Sequence, residues 1–597
     1  MGTPVSTPKK QNDGQVPGQQ NRQLAQTVKS ESTKKERAMI CAAIDFGTTY
    51  SGYAFSFAHS PLEIKANYWP DGSIKTPTVI LLDPDGRFHS FGKEAMDKYS
   101  SLLHTKEHKQ WFYFDRIKMV LYEKGTPLNL DVTIEDKEGK PMKAIDIFTM
   151  AIEYFVHQLV ATVTDKNRLD GLNFTPSKDI HWMVTVPAIW NDKSKLFMRN
   201  AAVKAGIPDD MLTLALEPEA ASLYSRNNIS DARFVGFRYI LLDAGGGTVD
   251  ITVHELNEDN SLTELYPPTG GDFGGTDVDN RFLQLLNDIF GISLMQKFKS
   301  DCLEEFIEMM SEFEIAKRRF NGTGKLIMKF PASLIEMYEF ESINTCEHAL
   351  EAASLNESIE IKFGRIYINA NVVKKMFQYS VNEISNAIRN TLNKVENIQK
   401  VVLAGGFSES QHLQLVLTET YGFKLLEVSS EPSGAVLKGA VLFGHTPGCI
   451  VARVCPRTYG VARMVKFRPE KPYSNPPDKK ITIDGKDYCD GIFDIHIQKG
   501  TKVAVTERSD IKEHVYFRPS LFVSNIIVEV FASDSLDPKY VDEPDCEKIG
   551  EAVIEMDPMV KMRSKIMVKL VFGGTELELV VRDEVRGETI KTFFRLT

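Results

Sequence analysis

The sequence predicts an α/β protein built of two related lobes and followed by a smaller, mostly β region. Three observations carry this reading. From about residue 40 to about 445, apolar strand-like runs alternate with amphipathic helices. A Gly/Thr turn that follows a strand-ending aspartate occurs twice, about 200 residues apart. Beyond Gly444-His445-Thr446-Pro447-Gly448 the runs become short and β-rich, with no long helix. Alternation of the first kind places helices over sheets.

The 597 residues exceed what one hydrophobic core can organise, so about three to five domains are expected. Hydrophobic residues make up 42% and charged residues 25%, an ordinary globular balance. A net charge of −10 leaves no basic surplus for neutralising phosphates, which argues against a dedicated nucleic-acid binder. No apolar run is read as reaching the roughly 18–20 residues of a membrane span, and the polar N-terminus lacks a secretory core. Seven scattered cysteines form no Cys-x-x-Cys pair, so no cysteine zinc site is expected and reduced thiols in the cytoplasm are the plain reading, with the nucleus as the alternative location. Asn173-Phe174-Thr175 is then a chance glycosylation match.

Residues 1–37 are rich in Gln, Lys, Ser, Thr and Asn, too polar to offset their ordering entropy, and are expected to be a disordered tail. Lys34-Lys35-Glu36-Arg37 is read as a solvated charge cluster. Order is expected from Met39–Ile44 onward. Strands are expected at His181–Val186 and Arg238–Leu242, and helices at Ala144–Ala161, Lys193–Ala205 and Val372–Val395. In the final stretch, strands are expected at Lys480–Ile483, Phe493–Ile497, Lys502–Val505, Ile526–Phe531, Ile566–Phe572 and Glu576–Val581, the last two joined through Gly573-Gly574.

The repeated turn carries the chemistry. Ala42-Ala43-Ile44 leads into Asp45-Phe46-Gly47-Thr48-Thr49, and Tyr239–Leu242 into Asp243-Ala244-Gly245-Gly246-Gly247-Thr248; Tyr50–Phe57 and Val249–Val253 continue as second strands. A turn wrapping a phosphate must offer backbone N–H groups without side-chain bulk, which glycine allows. Threonine hydroxyls add donors, and a carboxylate at the strand end can hold magnesium through its water shell. Two such hairpins predict two lobes closing on one magnesium-bound nucleotide.

These residues resemble a family. Ala43–Ser51 is similar to the first phosphate motif of the 70-kDa heat-shock proteins and Leu242–Asp250 to the second. Val186–Asp192 resembles the connecting segment, Glu217–Ala221 the glutamate-proline motif, Gly274–Arg281 the next motif, Glu314–Arg318 the adenosine helix and Val402–Ser408 the adenosine loop. The motifs run in family order from about 40 to 445, and Ile44–Phe57 with Trp111–Phe114 is most similar to the divergent member-12 branch.

The resemblance implies an actin-like, two-lobed ATPase domain over 38–447 and a β-rich substrate- or partner-binding region over 448–597 without a helical lid. It implies ATP or ADP with Mg2+, held by Gly47, Thr48, Thr49 and Tyr50 on one side and Gly245, Gly246, Gly247 and Thr248 on the other. Asp45 and Asp243 would organise the metal; Lys118, Glu217, Asp272 and Asp277 would be the catalytic groups. Gly274, Gly275, Glu314, Lys317, Arg318, Gly405, Gly406 and Phe407 would grip the adenosine. Glu314, Lys317 and Arg318 do share one helical face by spacing.

Departures from the family pattern temper the implied activity. Asp272 in Gly270–Gly275 is displaced from the catalytic register, and Glu409 replaces the arginine that stacks on adenine. Ser433 replaces an acid in Glu431-Pro432-Ser433-Gly434, and Lys195 stands for an arginine that, with Pro187, relays the nucleotide signal. The acidic, leucine-rich linker is replaced by Ile450-Val451-Ala452. The expected function is therefore an ATP-binding, chaperone-like protein with weak hydrolysis that meets protein clients or signalling partners through its C-terminal β region. A nucleotide-stabilised adaptor is the alternative, and a small-molecule kinase a remote one.

Overall fold

The computed structural model describes residues 38–122, 129–165, 174–226, 234–422, 424–470, 476–505, 513–517, 525–555, 565–572, 574–583 and 589–592. The polar tail at 1–37, Asn173 and Gly573 lie outside the described residues.

Strand Ile40–Phe46 is the centre of the first lobe's sheet. It pairs antiparallel with Tyr50–Phe57 and parallel with Ile180–Val186, which in turn pairs parallel with Leu212–Leu216. The second lobe repeats the plan. Arg238–Ala244 pairs antiparallel with Val249–Leu256 and parallel with Lys400–Ala404, which pairs parallel with Leu426–Val428. One hairpin followed by two parallel neighbours thus occurs twice, as the repeated turn implied. Both central strands are buried along nearly their whole length, which is why they read as unbroken apolar runs.

The helices lie close to their expected limits, at Ala144–Asp165, Asp192–Lys204 and Ala370–Lys394. Asn191 starts the second by accepting a hydrogen bond from the Ser194 N–H. One expectation needs amending: Ala144–Thr164 is apolar and long enough to cross a membrane. Here it lies against the first sheet, with Phe148, Ile152, Phe155 and Leu159 fully buried in the first lobe's core.

A core cluster joins the lobes, combining Cys41, Ala43 and Met183 of one sheet with Tyr239, Leu241 and Val402 of the other. Helices Glu217–Ser225 and Ala435–His445 cross within it so closely that a Cβ on Gly439 would stand 1.7 Å from the Ala220 carbonyl oxygen.

The boundary drawn at 447/448 is corrected by the sheet itself. Ile450–Val454 pairs parallel with the outer strand Leu262–Gly271, and Lys502–Ala504 pairs antiparallel with Ile450–Val454. The second lobe's edge is therefore covered by chain from beyond that boundary, which satisfies backbone groups an open edge would leave exposed. The remaining strands form two antiparallel sheets. One runs Lys480–Ile483, Lys486–Ile497, Thr458–Lys466, Asn525–Ser533, Cys546–Glu555; the other His514–Phe517, Lys565–Val571, Glu578–Asp583, Thr589–Thr592.

Three ion pairs, two of them largely buried, lock this region to the lobes. Arg453 donates from Nε and Nη2 to the two oxygens of the fully buried Glu219, at 2.6 and 2.7 Å. Arg199 makes a second two-pronged pair with Glu576, both bonds at 2.6 Å, and Lys193 meets Glu547 at 3.0 Å. Removing one member of a buried pair strands the other charge, at a cost of about 3–5 kcal/mol. Arg453→Met is expected to destabilise the protein by that amount in urea unfolding. Adding Glu219→Met should restore most of the loss; a double variant no more stable than the single one would show that the pair is not the source.

Candidate functional site

The two hairpin turns meet face to face across the cleft between the lobes. A Cβ on Gly246 would stand 2.4 Å from Thr49 Oγ1, and one on Gly247 would stand 2.7 Å from both Thr48 Oγ1 and Met119 Sδ. Glycine is required at these positions because the opposite loop occupies the space. Gly47 is required for a local reason: its Cβ would lie 2.2 Å from the Tyr50 carbonyl oxygen within its own turn. Helix Gly275–Phe290 starts directly behind the second loop, where Gly275 and Thr276 donate their N–H groups to the carbonyls of Gly245 and Gly246. Gly274 packs so tightly there that a Cβ would meet the Gly246 oxygen at 2.5 Å.

Beneath the turns the central strands end in carboxylates. Asp45 accepts from Thr185 Oγ1 at 2.9 Å and is ion-paired with Lys75 at 2.6 Å. Asp243 ends the other strand, with Gly405 backing so close that a Cβ would sit 2.4 Å from Asp243 Oδ1. Lys118 donates to Glu217 at 2.5 Å with both groups buried, and its ammonium lies 5.2 Å from the centre of the Trp190 ring. Asp250, also buried, accepts the Ile189 N–H at 2.9 Å.

The electrostatics follow from burial and crowding. Burial, then Glu217, Asp250 and Asp45, push the Asp243 carboxyl well above its ordinary range. Burial raises Glu217 too, against the pull of Lys118. Four carboxyl groups face two lysines here, so the acids outnumber the cations. An all-oxygen donor set of this kind, which an arriving cation would draw into the ionised form, fits a hard divalent cation such as Mg2+. Asp45 and Asp243, with Glu217 beside them, are the groups that would hold it, directly or through its waters.

At the far end of the cleft, Lys317 is a buried hub. Its ammonium bonds the Gly275 carbonyl at 2.9 Å, Asp279 at 2.5 Å and Glu314 at 2.5 Å. Glu314 also accepts from Arg318 at 2.8 Å, and the Arg318 guanidinium lies 5.2 Å from the centre of the Tyr50 ring. Tyr50 therefore serves this end of the cleft, packed across from the helix, more than the phosphate turn. Gly405, Gly406 and Phe407 also line the cleft, Gly405 against Asp243 and Phe407 against Gly275, and Glu409 accepts the Ser433 N–H at 3.3 Å. The whole cleft encloses about 260 Å³.

Two expected catalytic groups do not reach this cleft. Asp272 is exposed, on a turn whose next side chain, Phe273, is buried in the core. Asp277 lies in the first turn of helix Gly275–Phe290, where Ser380 Oγ donates to it at 3.3 Å and Arg281 stands 3.5 Å away. A helix rotates about 100° per residue, so two residues on the carboxylate faces the other way. Asp279 is accordingly the acid on that helix that lines the cleft. The sequence reading also missed Lys75 and Asp250. Lys75 follows no motif spacing, but Asp250 sits seven residues after Asp243 in the strand directly paired with it, a position the hairpin register makes predictable.

The family model described as Hsp70 protein matches residues 41–468. Heat shock 70 kDa protein 12A of Mus musculus is 31% identical over 630 residues, spanning 94% of this chain and 92% of that protein. The Homo sapiens 12A protein is 31% identical over 633 residues, spanning 94% and 92%, and Homo sapiens heat shock 70 kDa protein 12B is 30% identical over 648 residues, spanning 95% and 93%.

Burial and the neighbouring Glu217 push the Asp250 carboxyl up to about 7, against the Ile189 and Ala188 N–H groups and Lys118. An acid whose pKa rises on folding stabilises the fold below its unfolded value of about 3.9, and that contribution is lost as pH climbs to about 7. For Asp250 in cation-free protein the swing is on the order of 4 kcal/mol. Asp250→Asn keeps an acceptor for Ile189. It is expected to flatten the fall of stability across that window, measured by urea unfolding in chelator; an unchanged slope would place the titration elsewhere.

Proposed function

The chain belongs to the 70-kDa heat-shock (Hsp70) protein family, and from that premise we propose that it binds magnesium-ATP in the interlobe cleft and hydrolyses it slowly, as a chaperone-like protein. The observation that carries this is the pair of glycine turns in contact over buried Asp45 and Asp243, with Lys118 and Glu217 paired beside them. Thr48 and Thr49 offer hydroxyls, and the glycine turns offer backbone donors, to phosphate oxygens. Lys118 offers a positive charge where charge develops during transfer. Glu217, held by Lys118, is the carboxylate placed to orient or deprotonate water. Bound Mg2+ would supply neutralisation of the phosphate charge.

Slow turnover follows from the same geometry. Asp272 and Asp277 stand outside the cleft, and Glu217 is committed to a buried lysine. The pairing of Glu217 with Lys118 also favours the other reading, a nucleotide-stabilised adaptor. For partners, we propose the groove of about 350 Å³ between the C-terminal sheets, lined by Val461, Met464, Val515, Phe517 and Ile527, as the surface for protein clients. For location we propose the cytoplasm, a reducing compartment in which seven unpaired cysteines would stay thiols.

Calorimetry with ATP and Mg2+ tests the binding. Gly246→Val is expected to weaken it at least tenfold, since the side chain would occupy the space of Thr49; unchanged affinity would move the site. Single-turnover phosphate release tests the chemistry. Glu217→Gln should slow it about a hundredfold or more, the usual scale for a positioned acid or base, and Asp272→Asn should leave it unchanged. No release from the wild-type chain would leave the adaptor reading.

A further inference from the structure

The C-terminal sheets carry a cluster of a different kind. Asp494 and His496 are two residues apart on strand Lys486–Ile497, so their side chains leave the same face. His514 comes from strand His514–Phe517, which belongs to the other sheet. One ligand atom from each of the three lies within 4.8 Å of the others. We propose that Asp494, His496 and His514 bind a borderline divalent cation, zinc being the ion that fits, and that it ties the two C-terminal sheets together.

The donor chemistry narrows the ion to a borderline transition metal, zinc or iron(II) among them. Two imidazoles and one carboxylate suit zinc, whereas Mg2+ and Ca2+ take oxygen ligands. Tetrahedral zinc places its ligand atoms about 3.4 Å apart, so the cluster has only to tighten slightly. The fourth position is left for water or for the Tyr516 hydroxyl, which already donates to Asp494 Oδ2 at 2.6 Å and bonds His496 Nε2 at 2.9 Å.

The present contacts pre-orient the ligands. His514 Nδ1 bonds Asp494 Oδ2 at 3.0 Å, and the two imidazole rings stack with centroids 3.8 Å apart. Arg463 stands 3.4 Å from the second carboxylate oxygen with 45% of its side chain exposed, free to turn to solvent when a cation enters. A cation can take the place of the hydrogen bridging Asp494 and His514 once the neutral ring's single proton shifts from Nδ1 to Nε2, which frees the Nδ1 lone pair. The sequence offered no Cys-x-x-Cys signal for this because the donors come from two strands and no thiol takes part.

The test is titration of the full-length chain with zinc chloride, under a non-chelating reductant and against a chromophoric competing chelator. One zinc per chain is expected from this site. His496→Gln and His514→Gln should each weaken it at least tenfold, and the double variant should lose one equivalent; Asp243→Asn, in the nucleotide cleft, should not. Cobalt in place of zinc should show the visible bands of a four- or five-coordinate ion, lost in His514→Gln. Should the histidine variants misfold by circular dichroism, Asp494→Asn, which keeps an acceptor for Tyr516, should still weaken zinc tenfold. The proposal is overturned if the wild type holds no more zinc than the folded double variant, or if Asp494→Asn binds it unchanged.

Discussion

Like charges buried where the two lobes meet are the constraint on which the rest of the structure depends. Asp45, Asp243, Glu217 and Asp250 converge at the ends of the central strands and share Lys75 and Lys118. Carboxylates in such a place are costly unless paired or protonated. The fold supplies both remedies. The lysines take two of the acids, and the pKa of Glu217, Asp243 and Asp250 rises toward the neutral form. A cation would complete the compensation, so the cleft is built at a standing electrostatic disadvantage that ligand binding relieves. The bare glycine turns follow from the same demand: bulk there would hold the lobes apart and let water screen the cluster.

The cleft is joined to the C-terminal region by side chains in direct contact. Glu217 and Glu219 stand two residues apart at the start of one helix. The first faces Lys118 in the cleft; the second pairs with Arg453 on the strand that closes the second lobe's sheet. A second line leaves Asp250, whose carboxylate holds the Ile189 N–H just before helix Asp192–Lys204. That helix carries Lys193 and Arg199 to Glu547 and Glu576 and places Leu196 in the core of the C-terminal region. The missing acidic linker is thus replaced by buried ion pairs, a stiffer joint than a flexible tether.

The sequence disclosed local features well and facing relations poorly. The two hairpins, their glycines and the strand-ending aspartates were legible because each is set within a few residues by strand pairing and turn sterics. Lys118 and Glu217 were named separately, and their pairing at 99 residues' separation was not visible. Asp277 was chosen over Asp279 because motif spacing gives position along a helix but not which side meets the cleft. Lys75 had no signal, being a loop lysine whose partner is fixed only by the packed lobes. The 447/448 boundary misled because the change in strand composition comes before the last strands of the second lobe's sheet.

The base end of the cleft shows how one exchanged charge alters a whole wall. An arginine expected after the adenosine loop is Glu409, yet a guanidinium still flanks the space, from Arg318 on the opposite helix above Tyr50. Burial works against that guanidinium, and Glu314, Tyr50 and Glu409 together hold its charge. Where two cations would repel and keep the pocket open, an acid and a base attract across it. On the proposed reading, adenine enters a space flanked by charges of opposite sign, Arg318 and Glu409. The phosphate end pulls the other way, since its surplus carboxylates gain from an arriving cation. On that same proposed reading, affinity would rest on the metal-bound phosphates more than on the base, with weak nucleotide selectivity and strong dependence on the divalent ion.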